Sequence, residues 1–165
     1  MAASKQPFFV GPGATRVDGA MLPFKLSAED SDGALSICEF TLGAWESGPV
    51  LHKHDAVDEG FYVAAGVLEA QLGADRVQAP AGSFLWVPRG TAHTFANGGA
   101  DTLRVLAFAA PGGIEELFAE QAAYFAALDG APDPGVLSAM GERHGAPTLG
   151  PPIRSAAAPD ASAPP

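Results

Sequence analysis

From residue 34 to residue 109 the chain never travels far without a turn signal, and that punctuation restricts it to short strands. Residues 34–42 put Leu35, Ile37, Glu39 and Thr41 on one face of an extended segment. Ser36, Cys38, Phe40 and Leu42 take the other face, and both faces carry enough apolar surface to be covered. Further strands are predicted at 50–54, 59–65, 67–72, 76–79, 84–87, 92–96 and 103–109, divided by Gly66, Gly73-Ala74-Asp75, Pro80-Ala81-Gly82 and Pro88-Arg89-Gly90. An earlier strand is expected over 17–27, bent at Pro23, with a turn at Asp30-Ser31-Asp32-Gly33 after it. Strands this short and this regularly interrupted form an all-β sandwich or barrel.

Three of the four histidines fall inside that run of strands. His52 and His54 are two apart, so an extended backbone points both imidazoles the same way. Glu59 follows five residues later, far enough for a turn to return it beside them, and His93 arrives on a later strand after Pro88-Arg89-Gly90. Any one histidine on a strand is more often a surface or hydrogen-bonded core residue than a ligand. The combination is different, because three buried imidazoles and a carboxylate without a cation leave polar groups and a charge uncompensated. His52, His54, Glu59 and His93 are therefore the candidate ligands of one divalent transition metal: Fe, Mn, Ni, Zn or Cu. Gly66, Gly82, Pro88 and Gly90 read as turn formers, and Asn97, before Gly98-Gly99, as a hairpin residue.

At these positions the chain resembles the cupin superfamily. The first cupin motif, His-x-His, then Glu, then six residues and Gly, is matched by His52, His54, Glu59 and Gly66. The second is matched by Gly82, Pro88, Gly90, His93 and Asn97 with every spacing kept. The motif's leading glycine would fall on Glu46, and the nearest glycine is Gly48, so the turn before the first strand of ligands is expected to be rearranged with the ligands undisturbed. The resemblance covers residues 35–110 and implies a double-stranded β-helix, a small jelly-roll barrel. Cupins commonly pair through their sheets, and the two-sided apolar strand at 34–42 points the same way, so a homodimer is expected.

Four protein ligands would leave an octahedral metal two open positions, which points to catalysis more than to a closed structural site. Phe61, Val63, Phe95, Trp45 and Trp86 are the candidate walls of the pocket. An apolar wall suits a small aromatic or polyketide-like substrate that chelates the metal through oxygen. Among cupins the chain looks most like the small quercetin-dioxygenase-like proteins, which implies ring-opening dioxygenation with Glu59 as catalytic base. Likeness of fold leaves open a non-redox metalloenzyme, such as an isomerase or lyase, and a non-catalytic small-molecule binding protein.

The 165 residues suit one barrel domain at 16–110, preceded by an arm at 1–15 in which Phe8 and Phe9 pack against the body or a second subunit. A helical extension is predicted at 111–144. Ile114, Leu117, Phe118, Ala122, Phe125 and Leu128 recur there at helical spacing, Glu115 and Glu116 occupy the first turn, and Asp129-Gly130 is the stop. A shorter helix follows around 134–144, with His144 a surface residue near its end. The Pro/Ala-rich tail at 145–165 is expected to be disordered at its end. A net charge of −10 argues against nucleic acid and anionic membranes as partners, and a small molecule is the expected one. Cys38 reads as a small core residue. No run of 18 apolar residues and no apolar leader core are present, so a cytoplasmic location is expected.

Overall fold

The two-residue alternation of the sequence becomes two stacked antiparallel sheets in the computed structural model, which describes residues 6–158. The strands are β1 Phe24–Leu26, β2 Ser36–Leu42, β3 Leu51–His52, β4 Asp58–Ala65, β5 Val67–Leu72, β6 Asp75–Pro80, β7 Phe84–Val87, β8 His93–Asn97, β9 Leu103–Ala110 and β10 Thr148–Gly150. One sheet runs β1-β2-β9-β4-β7 and the other β10-β3-β8-β5-β6. Consecutive strands therefore repeatedly change sheet, which is the double-stranded β-helix. Phe24, Val63, Leu68, Leu103 and Val105 are fully buried between the layers, with Phe40, Phe61 and Leu85 beside them. Burial of each such side chain contributes about 1.5–3 kcal/mol, which makes this cluster the main source of stability.

Two of the connections explain particular residues. Gly66 joins β4 to β5 at φ +78°, and a Cβ there would come within 2.8 Å of the Leu103 Cα, so only glycine fits. Asn97 is more than a hairpin residue. It is fully buried, donates to the carbonyls of Leu42, Gly43 and Asp101, and accepts from the Gly99 amide, pinning the end of β2 to the end of β8.

Two expectations are corrected. The strand over 17–27 shrinks to β1, because Pro23 and Gly19 break the run and the Arg16 amide turns back to the Phe24 carbonyl. The turn around Asp30 is a one-turn helix, α1 Ala28–Ser31, started by a capping box in which Ser27 and Asp30 exchange side-chain to backbone hydrogen bonds. Beyond residue 145 the described part of the tail runs along the body. Strand β10 pairs with β3, Ile153 is buried, and Ser155 and the Ala156 amide bind the carboxylate of Glu69. The tail's end, residues 159–165, and residues 1–5 of the arm lie outside the described residues. Phe8 in the arm lies against the Arg16 guanidinium, 4.4 Å from its ring centroid, whereas Phe9 is 91% exposed.

The helical extension forms two helices, α2 Glu115–Ala126 and α3 Pro134–Arg143. Helix α2 is fastened to the barrel by Glu115, whose buried carboxylate accepts from Ser36 Oγ at 2.5 Å and the Ala28 amide at 2.6 Å. Helix α3 starts on Asp133 as N-cap with Pro134 in its first turn, and it is tied back to α2 through Glu120, which accepts from Arg143 and contacts His144 Nε2 at 2.7 Å. His144 thus sits at the helix end, as the sequence indicated, but half-buried and paired.

Candidate metal centre

Four side chains from three stretches of sequence meet at one point between the sheets. His52 on β3 lies directly opposite His93 on β8, so sheet register alone brings two imidazoles side by side, with ring centroids 4.4 Å apart. His54 comes two residues after β3 begins to leave the sheet, and its ring stands 4.9 Å from that of His52. Its position is held by backbone, since the His54 carbonyl accepts from the Gly90 amide at 2.7 Å. Glu59 arrives from the opposite sheet on β4, on the same face as Phe61 and Val63. The expectation that His52 and His54 share one strand is corrected in detail: β3 ends at His52, yet both rings still converge.

One ligand atom from each of His52, His54, Glu59 and His93 lies within 4.8 Å of the others. The orientation of two rings is set from behind. His52 Nδ1 lies 2.8 Å from the Val50 carbonyl and His93 Nδ1 lies 3.0 Å from the Thr91 carbonyl. A carbonyl can only accept, so those Nδ1 atoms carry the protons and both Nε2 lone pairs face the centre. Glu59 Oε2 stands 2.8 Å from His93 Nε2 and 3.3 Å from His54 Nε2. Among the described residues, buried Nε2 of His54, Nε2 of His93 and Oε2 of Glu59 have no hydrogen-bond partner. Lone pairs facing one another at that distance repel, and a buried polar atom without a partner costs about 1–3 kcal/mol. A proton between His93 and Glu59 would answer only two of these atoms. A divalent cation answers all of them together with His52, so the residues present fit a metal with imidazole and carboxylate ligands.

The electrostatics follow the same geometry. Burial would raise the Glu59 carboxyl, but His54 and His93 outweigh it and hold the group well below the usual carboxylate range. Burial would lower His93, and the adjacent Glu59 more than reverses it, so this imidazole is raised. His52 is lowered to about 4, first by burial and then by its two histidine neighbours, so it is neutral and able to ligate at pH 7. Around the centre, Asp58 accepts from the Arg89 amide at 2.8 Å and from its guanidinium, tying the Pro88-Arg89-Gly90 turn to the strand that carries Glu59. The leading turn is rebuilt as the glycine offset requires. Trp45 adopts φ +59°, the Glu46 carboxylate accepts from the Gly43 amide, and Gly48 passes so close to Phe95 that a Cβ would sit 2.6 Å from its ring.

The centre opens onto a cavity of about 720 Å³. Phe61 and Phe95 line it as expected, joined by Phe40, whose ring stacks on Phe95 with centroids 5.0 Å apart. Val63, Trp45 and Trp86 do not line it. Val63 is packed in the core above it, and Trp86 points out of β7 with 53% exposure, because odd and even positions of a strand face opposite ways. The far wall comes from the helical extension, whose residues were not among the candidate walls. Helices α2 and α3 contribute Leu117, Phe118, Gln121, Leu137 and Ser138, and the helical apolar stripe was the signal that could have placed them there. Cys38 also lines the cavity, with burial pushing its thiol up to about 12. No Lys or Arg lines it among the described residues.

Residues 37–109 match the Cupin_2 family, described as a cupin domain. A solved structure of an uncharacterized conserved protein with a double-stranded beta-helix domain from Klebsiella pneumoniae is similar at TM-score 0.53 and 17% identity, over 66% of this chain and 91% of that one. A predicted oxalate decarboxylase from Thermotoga maritima is similar at TM-score 0.51 and 25% identity, over 55% and 78% of the two chains. Curated proteins yield no match. The fold, both motifs and the convergence of four ligand side chains agree with that match: this chain has the cupin fold, a double-stranded β-helix, and residues 37–109 match the cupin domain.

Proposed function

We propose that the chain is a metal-dependent dioxygenase acting on a small aromatic, flavonol- or polyketide-like substrate that binds through oxygen. One observation carries this reading: partnerless metal-ligand atoms open onto a large apolar cavity that no cationic side chain lines. When bound by His52, His54, Glu59 and His93, a divalent cation supplies Lewis acidity and, if redox-active, dioxygen chemistry. The protein's own contributions are positional. Phe40, Phe61 and Phe95 offer ring faces and edges to an aromatic substrate, and 720 Å³ holds a molecule of drug-like size. Glu59, the carboxylate that lines the cavity, is the acceptor for a substrate hydroxyl proton.

The likeness to a predicted oxalate decarboxylase raises a dicarboxylate as the other substrate. That dianion would enter an apolar space with no Lys or Arg on its wall and fill little of it, so the aromatic reading is preferred. The reading also includes a twofold homodimer. Its support is the outer face of the first sheet, where Phe84 and Trp86 are 57% and 53% exposed beside Tyr62. Light scattering at twice 16.7 kDa is expected, and the mass of one chain would contradict it.

The function is tested by stripping the protein of metal, reloading it with iron, manganese or nickel, and following oxygen consumption with a flavonol. Consumption that tracks metal content supports the dioxygenase. Equal turnover without oxygen points to the isomerase or lyase, and tight binding without turnover to a binding protein.

A further inference from the structure

The helical extension enters the cavity in a pattern that the metal centre does not explain. On α2, Leu117, Phe118 and Phe125 line it from one helix face, and Gln121 stands among them. On α3, Leu137 and Gly141 line it with Ser138 between them. Among the described residues, neither the Gln121 nor the Ser138 side chain has a hydrogen-bond partner. Other polar wall residues are committed elsewhere: Ser36 donates to Glu115, Ser47 to the Ile153 carbonyl, and Thr41 and Thr148 are open to solvent. A half-buried polar group on an apolar wall gives up water for nothing, unless whatever fills the cavity returns the bond.

The geometry points to Gln121 and Ser138 as the specificity-determining pair of this cavity, hydrogen-bonding a neutral hydroxyl or carbonyl on the substrate's body. This assignment rests on the oxygen-chelating aromatic substrate proposed above. Both side chains donate and accept, and no charged side chain accompanies them on α2 or α3 in the cavity wall, so the group they read is neutral. A metal held by the histidine cluster would take the chelating oxygens, and the pair distinguishes among molecules that all chelate. Discrimination of this kind is strong, because an analogue without the hydroxyl leaves protein groups unpaired.

The test uses two compounds with the same chelating group: the parent flavonol, with no other hydroxyl, and quercetin, which adds ring hydroxyls. Affinities are measured on metal-loaded and metal-stripped protein, for wild type and for the Gln121→Met/Ser138→Ala double variant. Wild type should prefer quercetin by about 10-fold or more, the scale of one or two hydrogen bonds, and the preference should survive stripping. In the double variant the preference should vanish while the parent flavonol binds as before, and Ser138→Thr alone should retain it. An undiminished preference in the double variant overturns the assignment, as does equal weakening of both compounds. Should the double variant lose its thermal transition, Ser138→Ala alone must cut the preference several-fold. Failure of the chelating reading looks different: stripping would leave both affinities unchanged, and loss of selectivity in the double variant would still uphold the pair. No binding of either compound overturns both.

Discussion

Two glutamates on successive strands are buried to nearly the same degree and solve the problem in opposite ways. Glu69 on β5 is 2% exposed, and Glu59 on β4 is 7% exposed. Glu69 is answered entirely by protein: Arg76 at 3.1 Å, Gln78 at 2.9 Å, Ser155 at 2.7 Å and the Ala156 amide at 3.1 Å. Among the described residues Glu59 meets two imidazole nitrogens, and its Oε2 has no hydrogen-bond partner. A buried carboxylate completed by the chain is part of the fold. One left incomplete beside three lone-pair donors fits a cation. The difference separates structure from function within one barrel, without reference to any relative.

The largest expected effect breaks the comparison on the Glu59 side. At matched metal content, Glu59→Gln should lower turnover by about 10²-fold or more, the scale of a positioned acid–base group. Much of the metal should remain, since three imidazoles are left, and elemental analysis of the same sample checks this. Full activity of the metal-loaded variant would remove Glu59 from the mechanism and favour Lewis-acid chemistry.

Next comes the Glu69 side. Glu69→Gln should cost about 2 kcal/mol, roughly 5 °C in melting temperature, because hydrogen bonds to an ionised carboxylate become neutral or are lost. Metal stoichiometry should not change. Glu59→Gln should lower the metal-free melting temperature at mildly acid pH, since it removes the carboxylate that raises His93, and the loss should shrink as pH rises and His93 loses its proton. Calorimetry of both variants without metal would reveal either sign.

A smaller effect concerns pH. His93 is raised in the folded protein by Glu59, so its contribution in the metal-free state is complete below the unfolded value of about 6.5. It is lost as pH rises through the raised folded value. His52 is lowered, is neutral in both states above that point, and does not alter the trend. The metal-free melting temperature should therefore decline as pH rises above neutral, and saturating metal, which binds the unprotonated imidazole, should abolish the decline. A rising or flat metal-free profile would contradict the assignment.

The smallest effect should come from Asp58→Asn, which weakens an exposed pair with Arg89. Arg89 holds the Asp58 carboxyl down to about 2, but solvent screens the interaction, so a slight, salt-sensitive fall in metal affinity is expected. A loss as large as that of a histidine ligand would show that the turn positions the centre more rigidly than its exposure indicates.

How much of this was legible in the sequence follows from the range of the forces involved. Strands β5 and β7 fall where the alternation and the turn signals put them, and the four ligands converge where the motif spacings indicate. Those features are local, or are fixed by register from one hairpin to the next. The docking of residues 148–156 was not legible, because it comes from partners 86 positions away in sequence, as with Ser155 and Glu69. Trp86 was misplaced for a related reason: an aromatic near the ligands in sequence says nothing about which face of β7 it occupies. For the second wall, the apolar stripe at 114–128 marked a helix with a face to bury, but nothing local says which way that helix folds over the barrel.

The central claim is that one divalent cation completes Glu59, His52, His54 and His93. Anomalous X-ray diffraction from crystals of metal-loaded protein, collected at the absorption edge of that metal, tests it most directly. The account predicts one strong peak per chain, with an imidazole nitrogen of each histidine and a Glu59 oxygen about 2.0–2.2 Å away. A peak that excludes any one of the four side chains, or no peak at this point while metal is bound elsewhere, would contradict it.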